Sequence, residues 1–446
     1  MIALTERGPV ETPTVVHSAE EYLERFGCPV PGMLGPLAAE AYFDNGGEIL
    51  VVTRVVPPEA AVATAEIAML GLALPGPDPS LSLFATEPGS FANDIEVDAV
   101  VSVRRREAAT LTSTTSAQMP GATSADEGLP IRLLLDTGTH WARISTVDLT
   151  PTPEITFSPP APTGTGDTLV ELYEPTFALR IREPGRAEIV VPGIDARDLA
   201  DARERLSGTG ITIDPDASSA LAADLPASGA VARMEGGLDG LAEPVSTDPA
   251  ALTELADSFR RAIDALEEPD LADIVIAPDL WSRIYRTKGL NLLALDADRA
   301  TQLADELVRS AARNRERVVL LDAPLRGPEE TRPASVRELE MWREERGSEL
   351  VADRDFAAAY APWTRIESDI EYRGDETLLT PPSPYVAGQM AETTRNRGPW
   401  IAAANVALEG VIGLSQEYEA EDEERLQAVG IAPLRGRVPE GATIQG

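Results

Sequence analysis

The chain has 446 residues, 74 of them acidic and 38 basic, giving a formal charge of -36. That length asks for two or three domains rather than one core, and 43% hydrophobic with 25% charged residues is an ordinary globular composition. The charge argues against nucleic-acid binding, which needs clustered Arg and Lys, and against an anionic membrane surface; a solvated, soluble exterior is its simplest meaning.

From the N-terminus, Ser18 and Glu21 have capping-box spacing and open a short helix through Tyr22, Leu23 and Phe26 that stops at Gly27. A second helix is predicted from about Leu37 to Asn45, closed by Gly46-Gly47 in a left-handed cap. The run Ile49 to Val56 is almost continuously β-branched and apolar, as a strand buried on both faces would be. Between about Phe91 and Glu235 the texture turns β-rich. Strands are predicted at 95–97, 100–103, 131–135, 144–147, 177–181 and 189–191, with one helix from Arg197 to Leu206. The Ser/Thr/Pro/Gly-rich stretches Thr110–Gly128 and Thr150–Thr168 read as mobile loops.

After Gly236-Gly237-Leu238-Asp239-Gly240, read as a tight turn joining two domains, the α/β pattern returns. Leu252, Leu255, Phe259, Ile263 and Leu266 recur at helical spacing, as do Leu303, Leu307 and Ala311. Strands at 274–276 and 318–321 alternate with them, which implies a parallel sheet covered by helices. The final part opens with Pro381-Pro382-Ser383-Pro384 and is expected to hold helices from Trp400 to Leu414 and from Gln416 to Val429. The expected fold is α/β, α+β overall. It comprises a central, mostly parallel α/β sandwich from residues 1–90 with 236–372, a β-rich insertion at 91–235, and a small α+β C-terminal domain at 373–446.

A search for chemistry finds little. His17 and His140 have no second histidine at ligand spacing, so neither a metal site nor a general base is assigned. Cys28 is the lone cysteine, with no disulfide or metal partner, and a reduced thiol is expected. Lys288, the sole lysine, stands in Arg-Thr-Lys-Gly-Leu rather than a phosphate-binding loop. No nucleophile elbow is visible. Asp136, Asp148, Asp279 and Asp322 follow apolar segments, where α/β enzymes place catalytic carboxylates, but so acidic a chain puts acids there by chance. Glu417, Glu419, Glu421, Asp422, Glu423 and Glu424 form an acid run that is most simply a solvated helix end. No catalytic residue, cofactor site or metal site is assigned. No stretch of about twenty apolar residues suits a membrane span, and the start lacks the apolar core of a signal peptide, so folding in the cytoplasm is expected.

Several segments, in order, resemble the contractile phage tail sheath family: Glu6-Arg7-Gly8-Pro9-Val10 with Phe26-Gly27, Phe43-Asp44-Asn45-Gly46-Gly47 with Arg54-Val55, Glu87 to Ile95, and Gly236 to Gly240. So do Leu321-Asp322-Ala323-Pro324, Tyr360-Ala361-Pro362-Trp363, and Pro381-Pro382-Ser383 with Val386-Ala387-Gly388, Arg397-Gly398, Trp400 and Ala403-Ala404-Asn405. The resemblance implies a structural subunit, not an enzyme. Such a subunit stacks as hexameric rings around an inner tube, meets baseplate and terminator proteins, and contracts as a bistable lattice. It also implies an outward-facing insertion and an inner C-terminal domain, so Glu421, Asp422, Glu423 and Glu424 become candidates for the tube-facing surface. The family's strand-adding terminal arms have no counterpart in 1–446, and these residues alone are expected not to build a stable sheath. The competing reading is an α/β enzyme acting on a carbohydrate or nucleotide through strand-end carboxylates. A third is another tail component, such as a tube or baseplate protein.

Overall fold

A computed structural model describes residues 1–30, 32–70, 80–214, 225–227, 231–240, 249–266, 272–285, 295–325, 333–344, 354–367, 377–436 and 441–444. By compactness the chain divides into two units, Met1–Ala61 with Leu238–Gly446, and Val62–Gly237.

The main sheet of the first unit runs β18 (Ile274–Ile276), β19 (Val318–Asp322), β20 (Ala357–Ala361), β25 (Ile431–Gly436), β26 (Ala442–Ile444), β23 (Ala407–Leu408). The first four strands are parallel and the last two antiparallel. A three-stranded sheet sets β3 (Leu50–Val55) between β1 (Ile2–Leu4) and β2 (Thr14–Val16). Alternation along these strands feeds two apolar clusters. Val51, Val55, Val275, Val319 and Leu321 enter one; Leu50, Val52, Ile276 and Leu320 enter the other. The first cluster is completed by α4 (Pro249–Ala265), α5 (Ala297–Asn314), α6 (Val336–Glu344) and α8 (Ala420–Ala428). The second is completed by α1 (Ala19–Phe26), α2 (Gly35–Asp44) and α7 (Ser383–Arg397). Burial on both faces is why β19 reads as an apolar run over 318–321 and β3 as a nearly continuous one, broken only by Thr53 and Arg54.

Local signals held with adjustments. Ser18 Oγ accepts from Glu21 N at 3.0 Å, but the Glu21 carboxylate turns to His17 N at 2.7 Å, so the box is half formed. At the end of α2 the positive φ falls on Gly46. The helix expected from Trp400 to Leu414 is absent: turns and the two-residue strands β23 and β24 (Gly413–Leu414) stand there. Pro399, Gly410 and Gly413 interrupt the alanines, and Asn405 adopts a positive φ while its N–H bonds Ile444 O. The Gln416–Val429 helix shortens to α8.

Residues 373–446 fall inside the first unit: β25 lies against β20, α7 packs in the second cluster, and Leu426 in the first. A small sheet β22 (Thr377–Thr380), β21 (Thr364–Glu367), β24 accompanies them. The unit boundaries fall at Ala61 and Leu238, which are register partners in the antiparallel pair β4 (Ala60–Ala61) and β17 (Leu238–Asp239).

The second unit is built on two long strands, β7 (Glu96–Ser113) and β12 (Gly166–Arg182), paired from Gly166↔Leu111 to Arg182↔Glu96. In one half, β12 continues to β9 (Pro130–Leu135), β10 (Gly138–Asp148), β11 (Glu154–Ser158), β8 (Ser116–Gln118) and back to β7. That ring is a closed six-stranded barrel, filled by Leu111, Ile131, Leu133, Ile144, Phe157 and Leu172 among others. In the other half, β7 and β12 are flanked by β16 (Val231–Arg233) and β13 (Ile189–Ile194). This sheet shares a second core with β14 (Ile211–Ile213), β6 (Ser80–Ala85), β5 (Thr64–Leu70), β15 (Leu225–Pro226) and the helix α3 (Leu199–Leu206). Register shifts at Leu172/Tyr173 and Tyr173/Phe177 accompany the passage of β12 from the barrel core, which Leu172 enters, to the second core, which Tyr173 and Phe177 enter.

Two expectations change here. Residues 62–90, placed by sequence with the first part, pair through β5 and β6 with β15 and β14 and belong to the second unit. The stretches 110–128 and 150–168 contain strands, not only loops, because Ala109-Thr110-Leu111-Thr112 alternates apolar with Thr, and Thr suits a strand's solvent face.

Candidate functional site

The strand-end carboxylates are the natural starting point. Asp279 follows β18 and Asp322 ends β19, so both stand at the C-terminal ends of adjacent parallel strands, and both are buried. Neither is idle. Asp279 accepts from Leu4 N at 2.8 Å and Leu34 N at 2.7 Å, tying β1 and the start of α2 to the sheet. Asp322 accepts from Ser383 N at 2.8 Å and from its Oγ at 2.7 Å, fixing the first turn of α7. Burial pushes each carboxyl up to about 7, against the pull of those donors.

The other residues that carry the family resemblance make similar knots. Asn45 donates to Ala41 O and Glu409 O and accepts from Glu409 N and Gln389 Nε2, joining α2 to α7 and to residue 409. Gly388 is where α7 passes α2. A Cβ there would meet Tyr42 O and lie 2.7 Å from Asn45 Cβ. Arg54 of β3 holds Gly8 O and Glu6 O at 2.9 and 3.1 Å. The indole of buried Trp363 donates to Ala323 O at 2.8 Å. In the second unit, Asn93 grips Gly237 in both directions, accepting from its N–H at 2.7 Å and donating to its carbonyl at 2.9 Å.

The candidate tube-facing residues separate. Glu421 and Glu424 are exposed on α8 and Asp422 is half-buried, 3.7 Å from Arg425. Glu423 is buried and pairs with Arg435 of β25, with Nε at 3.0 Å. The acid run is therefore partly spent on folding, a use that only Arg435, twelve residues on, reveals. Asp136 is exposed; Asp148 is too, its carboxyl held low by the Thr150 backbone N–H and hydroxyl. His17 lies 3.2 Å from Glu21 and His140 3.0 Å from Pro159 O, each in a local contact. Cys28 is exposed and free, and Lys288 lies outside the described residues. Among the described residues no group of three His, Cys, Asp or Glu is placed to hold a metal, and no helix is long and apolar enough to cross a membrane.

No family profile matches the chain, and no curated protein matches it. Solved structures do. A sheath tail protein from Listeria innocua aligns with 100% of this chain and 66% of its own length, at a TM-score of 0.51 and 10% identity. The chain has the tail sheath fold. A sheath tail protein from Desulfitobacterium hafniense aligns over 100% of this chain and 69% of its own, with a TM-score of 0.46 and 11% identity. The contracted helical sheath of the anti-feeding prophage aligns over 47% and 46%, at 0.28 and 23%. The chain thus spans about two thirds of the Listeria protein. At 10% identity the tail sheath fold is shared as a backbone path.

Proposed function

We propose that this chain is a structural sheath subunit that polymerises around an inner tube and contracts to drive it forward, in a phage tail-like contractile injection system. The observation that carries this reading is alignment of the whole chain with a sheath tail protein. In support, the chain's most motif-like residues are spent on holding segments together rather than on an open site. On this reading the partners are further copies in stacked hexameric rings, an inner tube protein, and baseplate and terminator proteins, with assembly in the cytoplasm. Neither cofactor nor catalysis enters it. The tube-facing assignment of the 421–424 run narrows to Glu421, Asp422 and Glu424, since Glu423 is engaged with Arg435.

The enzyme alternative requires Asp279 and Asp322 to act on a substrate, yet both carboxylates already accept two hydrogen bonds each from the chain. Negative-stain microscopy of particles purified from the native host, with labelling against this chain, separates the readings. A sheath appears as wide hollow cylinders, a tube protein as thin ones. Label confined to unassembled protein would overturn the proposal.

A further inference from the structure

The loop that follows α7 stands apart from the rest of the surface. Trp400 is 80% exposed and Ile401 39%, and Pro399 and Ala402 beside them are exposed as well. The other four tryptophans are buried or half-buried. Exposing a whole indole forgoes the hydrophobic free energy its burial supplies. The loop is not slack, however. Ile401 N bonds Gly398 O at 3.1 Å, Ala404 N bonds Ala402 O at 3.0 Å, and Asn405 N bonds Ile444 O at 2.8 Å, so both ends are tied to ordered elements. The indole is presented on a rigid mount, which lowers the entropy lost on docking.

Its charge is as unusual as its exposure. Acids make up 74 of 446 residues, about one in six, yet residues 393–408 contain none. The stretch holds two arginines. Arg395 is paired with Glu48 at 3.0 Å; Arg397 is exposed and has no partner among the described residues. An exposed Trp with an uncompensated guanidinium beside it is the composition of an interface hot spot.

We propose that the Pro399–Ala402 loop with Arg397 docks on an acidic surface of a second copy of this chain. This rests on the sheath reading for its polymer but not for its residues. A copy carrying a charge of -36 offers the complementary field, and steering by it favours encounter. Two such loops facing each other would oppose Arg397 to Arg397. The contact therefore joins unlike surfaces, and a contact of that kind propagates into rings or helices rather than closing as a dimer.

The test places a photo-activatable phenylalanine analogue at position 400 of the 446-residue chain and measures self-association by sedimentation velocity. Cross-linked products should join two copies, with the second site among acidic residues. Trp400→Ala should weaken association roughly 30-fold, as hot-spot truncation does. Arg397→Glu should weaken it about tenfold or more. Because both side chains are exposed, thermal unfolding should be unchanged. Cross-linking to the tube protein in native particles, variants that associate like the parent chain, or a parent chain that stays monomeric would each overturn the proposal. Cylinders that persist in native particles carrying Trp400→Ala would overturn it while leaving the sheath reading standing. Self-association of the purified chain through Trp400, with no labelled cylinders in particles from the native host, would do the reverse.

Discussion

The two units solve the same problem by different means. The first joins strands distant in sequence into a parallel sheet and needs side chains to pin the crossings. Asp279 reaches 275 residues back to Leu4, Asp322 61 residues on to Ser383, and Asn45 364 residues on to Glu409. The second unit pairs two long antiparallel strands through backbone hydrogen bonds and turns its own excess length into a barrel. The contrast teaches where sequence is constrained. A parallel sheet leaves its helices and crossovers to be held by specific polar contacts, whereas an antiparallel meander is held mainly by its ladder and by alternation, with ion pairs such as Glu171 to Arg132 laid along the strands. This is why the motif-like residues gather in the first unit, while the barrel's outer face can be filled with Thr and Ser.

The sharpest way to break the comparison is Asp322→Ala. It strips two acceptors from the buried Ser383 N–H and hydroxyl, and the first unit should lose about 3 kcal/mol in urea denaturation. Asp322→Asn, which keeps one oxygen, should lose less. Equal losses for the two would show that the pin is not the source of stability.

Gly388→Ala should cost about 2 kcal/mol, because the new methyl meets Tyr42 backbone and Asn45 where α7 crosses α2. A chain as stable as its parent by the same assay would mean that the helices separate freely.

The pH profile sharpens the contrast further. Asp279 and Asp322 have folded-state values raised to about 7 from 3.8. Native protein then binds more protons than unfolded chain between those values. Their contribution is fully present below about pH 3.8 and is lost as pH rises to about 7. Other acids titrate too, so the informative quantity is the difference between the parent and an Asp279→Asn, Asp322→Asn double variant. Parent stability should fall relative to the variant from pH 4 to 7 and run parallel above. Parallel curves throughout would refute the assignment.

Deleting Val62–Gly237 and joining Ala61 to Leu238 through a short linker should leave the first unit folded, with thermal unfolding shifted by only a few degrees. Those two residues are already β-ladder partners, so closure strains little. Loss of cooperative unfolding would show that the units are not separable. Least of all should change with Thr146→Val on the barrel, where one exposed hydroxyl pair with Thr156 is lost; within about 0.5 kcal/mol is expected by the same denaturation.

Much of the layout was legible. The apolar runs at 49–56 and 318–321 announced β3 and β19, and the spacing of Leu252, Leu255 and Phe259 announced α4. Each signal is local: burial on two faces removes polar residues, and a helix face repeats within a few positions. The helix α7 went unread because Pro381-Pro382-Ser383-Pro384 looks like a break, although proline is at home in a helix's first turn. The alanines near 403 were misread as helix because propensity yields to tertiary pairing, here Asn405 with Ile444.

By itself, then, the sequence determined the period of the strongly patterned strands and helices such as β3, β19 and α4, the acidity, and the order of the motifs, since these depend on neighbours along the chain. Only the tertiary structure decided what the polar motif residues do. Asp322 is a pin rather than a catalyst because Ser383 is brought to it, and Glu423 is an ion-pair partner rather than a free surface charge because Arg435 lies beside it. A carboxylate's role is set by the donors within about 3 Å, and those arrive from parts of the chain that sequence spacing does not relate.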